Sequence, residues 1–267
     1  MSYLLEINNV HKTFNKGTIN EKKALQGVDL KLKEGDFVTI IGGNGAGKST
    51  TLNAIAGLWR VDEGSIIVDG VDITKMPEHK RASLLGRVFQ DPRMGTATTM
   101  SIAENLSVAY RRGQSRGLKW GITKAEKKQY REQLAEFNLG LEDRMTTKVG
   151  LLSGGQRQAL TLLMAAMQQP KLLLLDEHTA ALDPKTAKTV LDLTQKIVEE
   201  RKLTTLMVTH NMKDAIRLGN RLIMMNDGKV IYDVEGEEKK NLEVKDLLKK
   251  FEEVSGGEFA NDRMMLA

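Results

Sequence analysis

The stretch GGNGAGKS, residues 42–49, constrains the fold of this chain more than any other segment. Gly42, Gly47, Lys48 and Ser49 fit the spacing G-x-x-x-x-G-K-[ST]. The stretch lies between a short β-rich run, residues 37–41 (FVTII), and a segment of helical character, residues 49–58. Glycines let successive backbone N–H groups turn inward on an anion, and the helix that follows presents its positive end to the same point. Lys48 has the reach for the terminal phosphates of a nucleotide, and the Ser49 hydroxyl is a hard oxygen ligand of the kind Mg²⁺ prefers. Gly42, Gly43, Asn44, Gly45, Ala46, Gly47, Lys48, Ser49 and Thr50 are therefore the candidate phosphate contacts. The bland alternative is a glycine-rich turn with no ligand.

A second stretch, LLLLDEHTAALDP (residues 172–184), answers to the first. Four leucines run into Asp176 and Glu177. A carboxylate at the end of a buried strand is costly unless something there uses it. Ligands of open α/β sheets gather at the carboxyl ends of the strands. A parallel strand neighbouring residues 37–41 would deliver Asp176 to a metal, directly or through water, and Glu177 to the attacking water as orienter or base. A structural salt bridge is the alternative reading of the pair.

The rest of the chain alternates in a way that suits such a sheet. Residues 4–7, 25–32 and 84–90 read as strands, and residues 65–73 (SIIVDGVDI) as a hairpin about Asp69-Gly70. Ser101 and Glu104, and Thr123 and Glu126, have capping-box spacing at helix starts, the second followed by Tyr130, Leu134 and Phe137 on one face. Strands are expected at 171–175, 205–208 and 221–225, separated by helices from Ser153, Asp183-Pro184 and Met212, with one more strand after the turn at 226–228. Val244, Leu247, Leu248 and Phe251 make a helical stripe, and a loose tail is expected from Ser255. Residues 111–122 form a basic, glycine-rich loop, read as solvated rather than as a lipid or partner contact. No internal repeat is evident.

Composition narrows the classes. No apolar run approaches the ~18 residues of a membrane span, and the opening MSYLLEINNV lacks the pattern of a signal peptide. The absence of cysteine excludes disulfides and thiolate metal sites and suits a reducing compartment. The net charge of +5 is spread through the chain, without the concentrated basic stripe of a nucleic-acid binder.

Residues 152–156 (LSGGQ) precede a long apolar helix. Ser153 is a good N-cap, and two glycines expose backbone N–H. By composition alone this is either a second anion site or an ordinary capped helix start. Taken with the phosphate loop and the LLLLDE strand, in this order, LSGGQ resembles the nucleotide-binding subunit of an ATP-binding cassette (ABC) transporter, over residues 3–233. The resemblance implies an α/β, P-loop NTPase-type fold: a mostly parallel sheet core, an N-terminal antiparallel β region and an inserted helical lobe at about 91–150. Residues 1–235 would form the ATPase domain and 236–267 a C-terminal helix and tail. It also implies two subunits packed head to tail, each ATP lying between the phosphate loop of one and Ser153, Gly154, Gly155 and Gln156 of the other.

By the same resemblance Phe14 stacks on adenine, Gln90 reaches Mg²⁺ and the water and senses the membrane partner, Asp183 belongs to the loop crossing the dimer interface, and His210 contacts the γ-phosphate. Ser49, Gln90 and Asp176 become the metal set, and Glu177, His210 and Lys48 the catalytic set. His178 departs from the family, where proline is usual, and is read as a variant loop residue without chemistry. The expected activity is ATP hydrolysis with Mg²⁺, at the cytoplasmic face of a membrane. The expected partners are a separate permease, for a helix of which the segment after Gln90 would offer a groove, and a solute-binding protein; no nucleic acid is expected. Uptake of a small solute, such as an aromatic amino acid, is the leading reading. An exporter ATPase or a non-transport ATPase such as an iron–sulfur assembly scaffold is the alternative; LSGGQ argues against an adenylate-kinase-like phosphotransferase.

Overall fold

The computed structural model describes residues 3–114 and 121–255. Residues 115–120 of the basic loop at 111–122 and the tail after Ser255 lie outside these described residues. The chain opens with two long strands, β1 (Leu5–Phe14) and β2 (Lys22–Leu32), paired antiparallel, and then β3 (Phe37–Gly42) leads through the phosphate loop into α1 (Lys48–Ala56). The hairpin β4 (Glu63–Val68) and β5 (Val71–Asp72) follows. Asp69 and Gly70 both take positive φ, the backbone that a tight two-residue hairpin turn needs. The first strand runs to Phe14, well past the expected Ile7, because Val10 stays buried after a bulge and pairing with β2 continues to the strand end.

A short α2 (Glu78–Arg81) and β6 (Leu85–Val88) lead to the lobe helices α3 (Ile102–Tyr110) and α4 (Lys124–Ala135). Both carry complete capping boxes, from Ser101 with Glu104 and from Thr123 with Glu126. Then come α5 (Gly154–Ala166), β7 (Leu172–Asp176), α6 (Pro184–Glu200), β8 (Thr204–Val208), α7 (Met212–Arg217), β9 (Arg221–Asn226), β10 (Lys229–Glu235), α8 (Gly236–Lys240) and α9 (Val244–Ser255).

Two sheets result. One is antiparallel, in the order β2-β1-β4-β5. The other has six strands in the order β10-β9-β3-β8-β7-β6, parallel from β9 to β6 with β10 antiparallel at its edge. The order corrects one expectation: β7 does not neighbour β3, because β8 lies between them. Strand order depends on which helices cross which face, and no local pattern records it.

The leucine run shows how the layers divide. Leu172 to Leu175 are all fully buried. Leu172 and Leu174 join the core shared with α1 and the antiparallel sheet, while Leu173 and Leu175 join the core beneath α5, α6 and the lobe. A period of two inside an unbroken apolar run is what a strand covered on both faces requires. Each such leucine contributes about 1.5–3 kcal/mol. Tyr130, Leu134 and Phe137 bury into that second core, so the lobe is continuous with one face of the sheet. Leu247 and Phe251 of α9 pack with Met212, Leu222, Met224 and Val234, which fixes the C-terminal helix on β9, β10 and α7.

Candidate functional site

The phosphate loop starts where β3 ends and is shaped by two close approaches. A Cβ at Gly42 would come 2.3 Å from the Met225 carbonyl oxygen, and one at Gly47 2.7 Å from that of Ala24, with both residues at positive φ. Only glycine fits at either point. Gly47 is the N-cap of α1 and offers no side chain to it, and the first turn holds no acidic residue. The N-termini of α3, α4 and α5, by contrast, are closed by capping boxes. The leading N–H groups of α1 are thus left to an external anion.

Lys48 is buried, and its Nζ donates to the carbonyls of Gly42 at 2.7 Å and Gly43 at 3.0 Å, which holds the ammonium inside the loop. Burial lowers its pKa, opposed by the charges of Glu177 and Asp176. Ser49 Oγ donates to Asp176 Oδ1 at 3.1 Å across the end of β8. The motif serine and the strand-end aspartate therefore meet although their strands are not adjacent. The other oxygen, Asp176 Oδ2, lies 3.6 Å from Arg87 Nη2. Burial raises the Asp176 pKa, opposed by the Ser49 hydrogen bond and the Arg87 and Lys48 charges. Two hard oxygens side by side, one of them on a largely buried carboxylate, fit Mg²⁺. No cluster of three or more His, Cys, Asp or Glu suited to a metal occurs among the described residues, so the set is not that of an all-protein cage.

Glu177 follows β7 at φ 45°, an uncommon conformation for a non-glycine residue that costs on the order of 1 kcal/mol or more. Its N–H stays tied to the Val208 carbonyl at 3.0 Å. Its carboxylate is mostly covered, and Oε1 lies 2.6 Å from Nε2 of the half-exposed His210. Phe14, Lys22, Ala24, residues 44–50, Gln90, Glu177 and His210 line one cavity of about 540 Å³. Phe14 stands at its wall with its ring edge-on to Trp59, centroids 5.3 Å apart. A cavity of about 790 Å³ adjoins it through Asn44, Glu177 and His210 and extends past Leu182 and Pro184 towards Phe251.

The residues of the LSGGQ stretch are not in either cavity. Ser153 Oγ accepts from Gln156 N, and Gln156 Oε1 accepts from Ser153 N, so this pair closes a capping box. Gln156 Nε2 donates to the Leu139 carbonyl, so its side chain is occupied within the chain. Gly155 is forced by packing: a Cβ there would fall 2.2 Å from Thr186 Cγ2. Asp183 caps α6, accepting from Thr186 N at 3.1 Å.

His178 lies in the turn after β7, as expected of a loop residue, but its side chain is enclosed. It is fully buried, and its Nε2 lies 3.0 Å from Thr194 Oγ1. The Thr194 hydroxyl already donates to the Val190 carbonyl, so the imidazole Nε2–H is the donor. Burial pushes its pKa down to about 4. Arg87 and Lys22 escaped the sequence reading. An arginine inside the strand-like run GRVF was the available signal for the first. Lys22 Nζ lies 3.1 Å from the position of a Cβ on Gly45, close over the loop, and nothing local marks it.

A family model described as "ABC transporter" matches residues 25–180. The chain is 46% identical over 250 residues, 93% of its length, to a tyrosine transport ATP-binding protein of Clostridioides difficile (strain R20291), covering 99% of that protein. It is 34% identical over 239 residues, 86% of its length, to the phosphonates import ATP-binding protein PhnC of Treponema denticola, covering 89% of it. Among solved structures it resembles the dimeric post-hydrolysis state of the ATP-binding cassette MJ0796 bound to ADP and Pi, with TM-score 0.74, 32% identity, and coverage of 86% of this chain and 98% of that one. It also resembles the ADP conformation of the cassette MJ1267, with TM-score 0.76, 28% identity, and coverage of 94% and 99%.

Proposed function

The chain belongs to the ABC transporter family, and on that premise we propose that it hydrolyses ATP to power a separate membrane permease in the uptake of a small solute. The relatives named for import, of phosphonates and of methionine, favour uptake over export and over an iron–sulfur assembly role. The likeness to a tyrosine transport ATP-binding protein makes an amino acid, and an aromatic one first, the solute to test. A solute-binding protein completes the proposed assembly, with the chain peripheral at the cytoplasmic face and no helix among its described residues long and apolar enough to cross a membrane.

One observation carries the reading: Lys48, Ser49, Glu177 and His210 converge on a single cavity beside the uncapped start of α1, with Asp176 bonded to Ser49. In the proposed mechanism Phe14 holds adenine, and the backbone N–H groups of residues 43–49 and the Lys48 ammonium hold the phosphates. Ser49, Asp176 and Gln90 would hold Mg²⁺, which when bound neutralises charge on the phosphoryl oxygens. Glu177 accepts a hydrogen bond from the attacking water and draws its proton. His210 fixes the Glu177 carboxylate at 2.6 Å and faces the γ-phosphate. A second copy supplies Ser153, Gly154 and Gly155, whose helix end lies outside this chain's own cavity. Asp183 and the loop before it would meet that copy. Residues 91–150 would be the lobe that receives the permease, and residues 236–267 an appended C-terminal element.

The test is reconstitution. The chain, purified in complex with a polytopic membrane protein and placed in proteoliposomes, should hydrolyse ATP and accumulate radiolabelled tyrosine, phenylalanine or tryptophan. ATP hydrolysis at full rate by a strict monomer, with no membrane protein ever bound, would refute the reading.

A further inference from the structure

Phe14 and Lys22 stand opposite one another where β1 and β2 pair, and both line the cavity of the phosphate loop. Side chains directly opposed on an antiparallel pair share one face, with Cβ atoms about 5 Å apart. One cross-strand pair therefore brings an aromatic ring and an ammonium group to the same wall. Lys22 Nζ comes 3.1 Å from where a Cβ on Gly45 would sit, over the middle of the phosphate loop. Gly45 holds φ 81°, and its lack of a side chain keeps the loop backbone open to that ammonium. The hydrolytic end of the cavity lies elsewhere. The larger adjoining cavity shares Asn44, Glu177 and His210 with this one, and neither Phe14 nor Lys22 lines it. Lys48 Nζ is held at the Gly42 and Gly43 carbonyls, at the start of the loop. Lys22 is thus on the Phe14 side of Lys48.

Charge separates the two lysines as well. The charges of Glu177 and Asp176 both act on Lys48. Lys12, on the same strand as Phe14, spends its ammonium on Asp62 at 3.1 Å. The ammonium of Lys22 has no hydrogen bond or ion pair among the described residues. A polyphosphate entering a cavity that already holds Glu177 gains from every cation on its wall, and Lys22 is the lysine there that no acid balances. We propose, resting on the reading of this cavity as the ATP site, that Lys22 is a further nucleotide-binding residue whose ammonium binds the phosphates nearer the base, those that ATP and ADP share. It sets how tightly the chain holds substrate and product alike. Because the contact is the same before and after hydrolysis, it adds affinity without discriminating between the two nucleotides.

The test is competition against fluorescent ATP on the purified full chain with Mg²⁺. Lys22→Met keeps the length of the side chain and removes its charge. It should weaken ATP and ADP alike, each by about 5- to 30-fold. Inorganic tripolyphosphate, which has no base, should weaken by a similar factor, and Lys22→Arg should bind within about threefold of the wild type. The gap between wild type and Lys22→Met should narrow as KCl rises, because the contact is electrostatic and reaches solvent. Lys22→Gln serves if Lys22→Met does not fold. An ATP dissociation constant within about twofold of the wild type overturns the proposal. So does a loss that spares ADP, which would put the ammonium on the γ-phosphate, or one that spares tripolyphosphate, which would mean that the substitution acts through Phe14 and the base. Absence of ATP binding by the wild type would instead overturn the ATPase reading on which the proposal rests.

Discussion

His210 Nε2 stands 2.6 Å from Glu177 Oε1, on a Glu177 backbone at φ 45° whose N–H is tied to the Val208 carbonyl. A carboxylate so held, at the wall of the phosphate cavity, is suited to take a proton from water and poorly suited to bind an anion. Glu177→Gln keeps the shape and the hydrogen bond but removes the base. Hydrolysis should fall at least 100-fold, while ATP affinity stays within about threefold, since general-base contributions run to about 10²–10⁴-fold. With ATP the variant should elute as a dimer in size-exclusion chromatography. Turnover near the wild-type rate would remove Glu177 from the mechanism.

Lys48 contributes to binding rather than to proton transfer. Its ammonium is already placed by the Gly42 and Gly43 carbonyls, so a phosphate gains a charge-assisted bond with little ordering cost. Lys48→Ala should weaken fluorescent-ATP binding by about 10- to 100-fold, the equivalent of roughly 1.5–3 kcal/mol. An unchanged dissociation constant would contradict the role.

These two residues were legible because their chemistry is written in spacing: the lysine follows a glycine loop, and the glutamate follows an apolar strand. Legibility ended where a property depends on packing between distant segments. The expectation that β7 adjoins β3 failed because β8, later in the chain, inserts between them. Arg87 gained meaning only when β6 settled beside β7 and brought its guanidinium to Asp176. His178 does lie in a turn, but DEHTAALDP gives no hint that α6 folds back to bury it against Thr194.

That buried histidine makes stability depend on pH. Its folded pKa is depressed from 6.5 to about 4, so the folded state resists protonation more than the unfolded chain does. Its stabilising effect is full above pH 6.5, declines as pH falls, and is gone below about pH 4. The span is worth about 3 kcal/mol. Urea melts between pH 7 and 4 should show the wild type losing about 3 kcal/mol relative to His178→Leu as pH falls, because the leucine cannot titrate. A constant gap between the two would exclude His178 as the titrating group.

Arg81 tests the scaffold beneath the phosphate loop. Its guanidinium closes the carbonyls of Ala54 and Ile55 at the end of α1, where burial lowers its pKa against the opposing charge of Asp72. Arg81→Met leaves the Ile55 carbonyl without this donor and Ala54 with only the longer bond from Gly57 N–H, and should lower stability by about 1–3 kcal/mol. Nucleotide contacts are untouched, so ATP affinity measured well below the melting temperature should hold. A loss of less than 0.5 kcal/mol in urea melts would show that water satisfies the α1 end instead.

The sharpest prediction concerns which chain completes which site. Ser153 and its glycines lie outside the cavity formed by the phosphate loop of the same chain. If they act on a second copy's nucleotide, damage to the two surfaces is separable. Lys48→Ala destroys the loop surface, and Ser153→Glu places a repelling charge on the other. Each variant alone should be inactive. In a mixed dimer one site joins both damaged surfaces, and the other joins an intact loop to an intact Ser153 end. Equal mixing makes half the dimers mixed, so about a quarter of the wild-type hydrolysis should return where one intact site suffices and sites act independently. A site completed within one chain gives the opposite result, because mixing then supplies no undamaged combination. ATPase assays on the two purified variants, alone and premixed, decide between these outcomes.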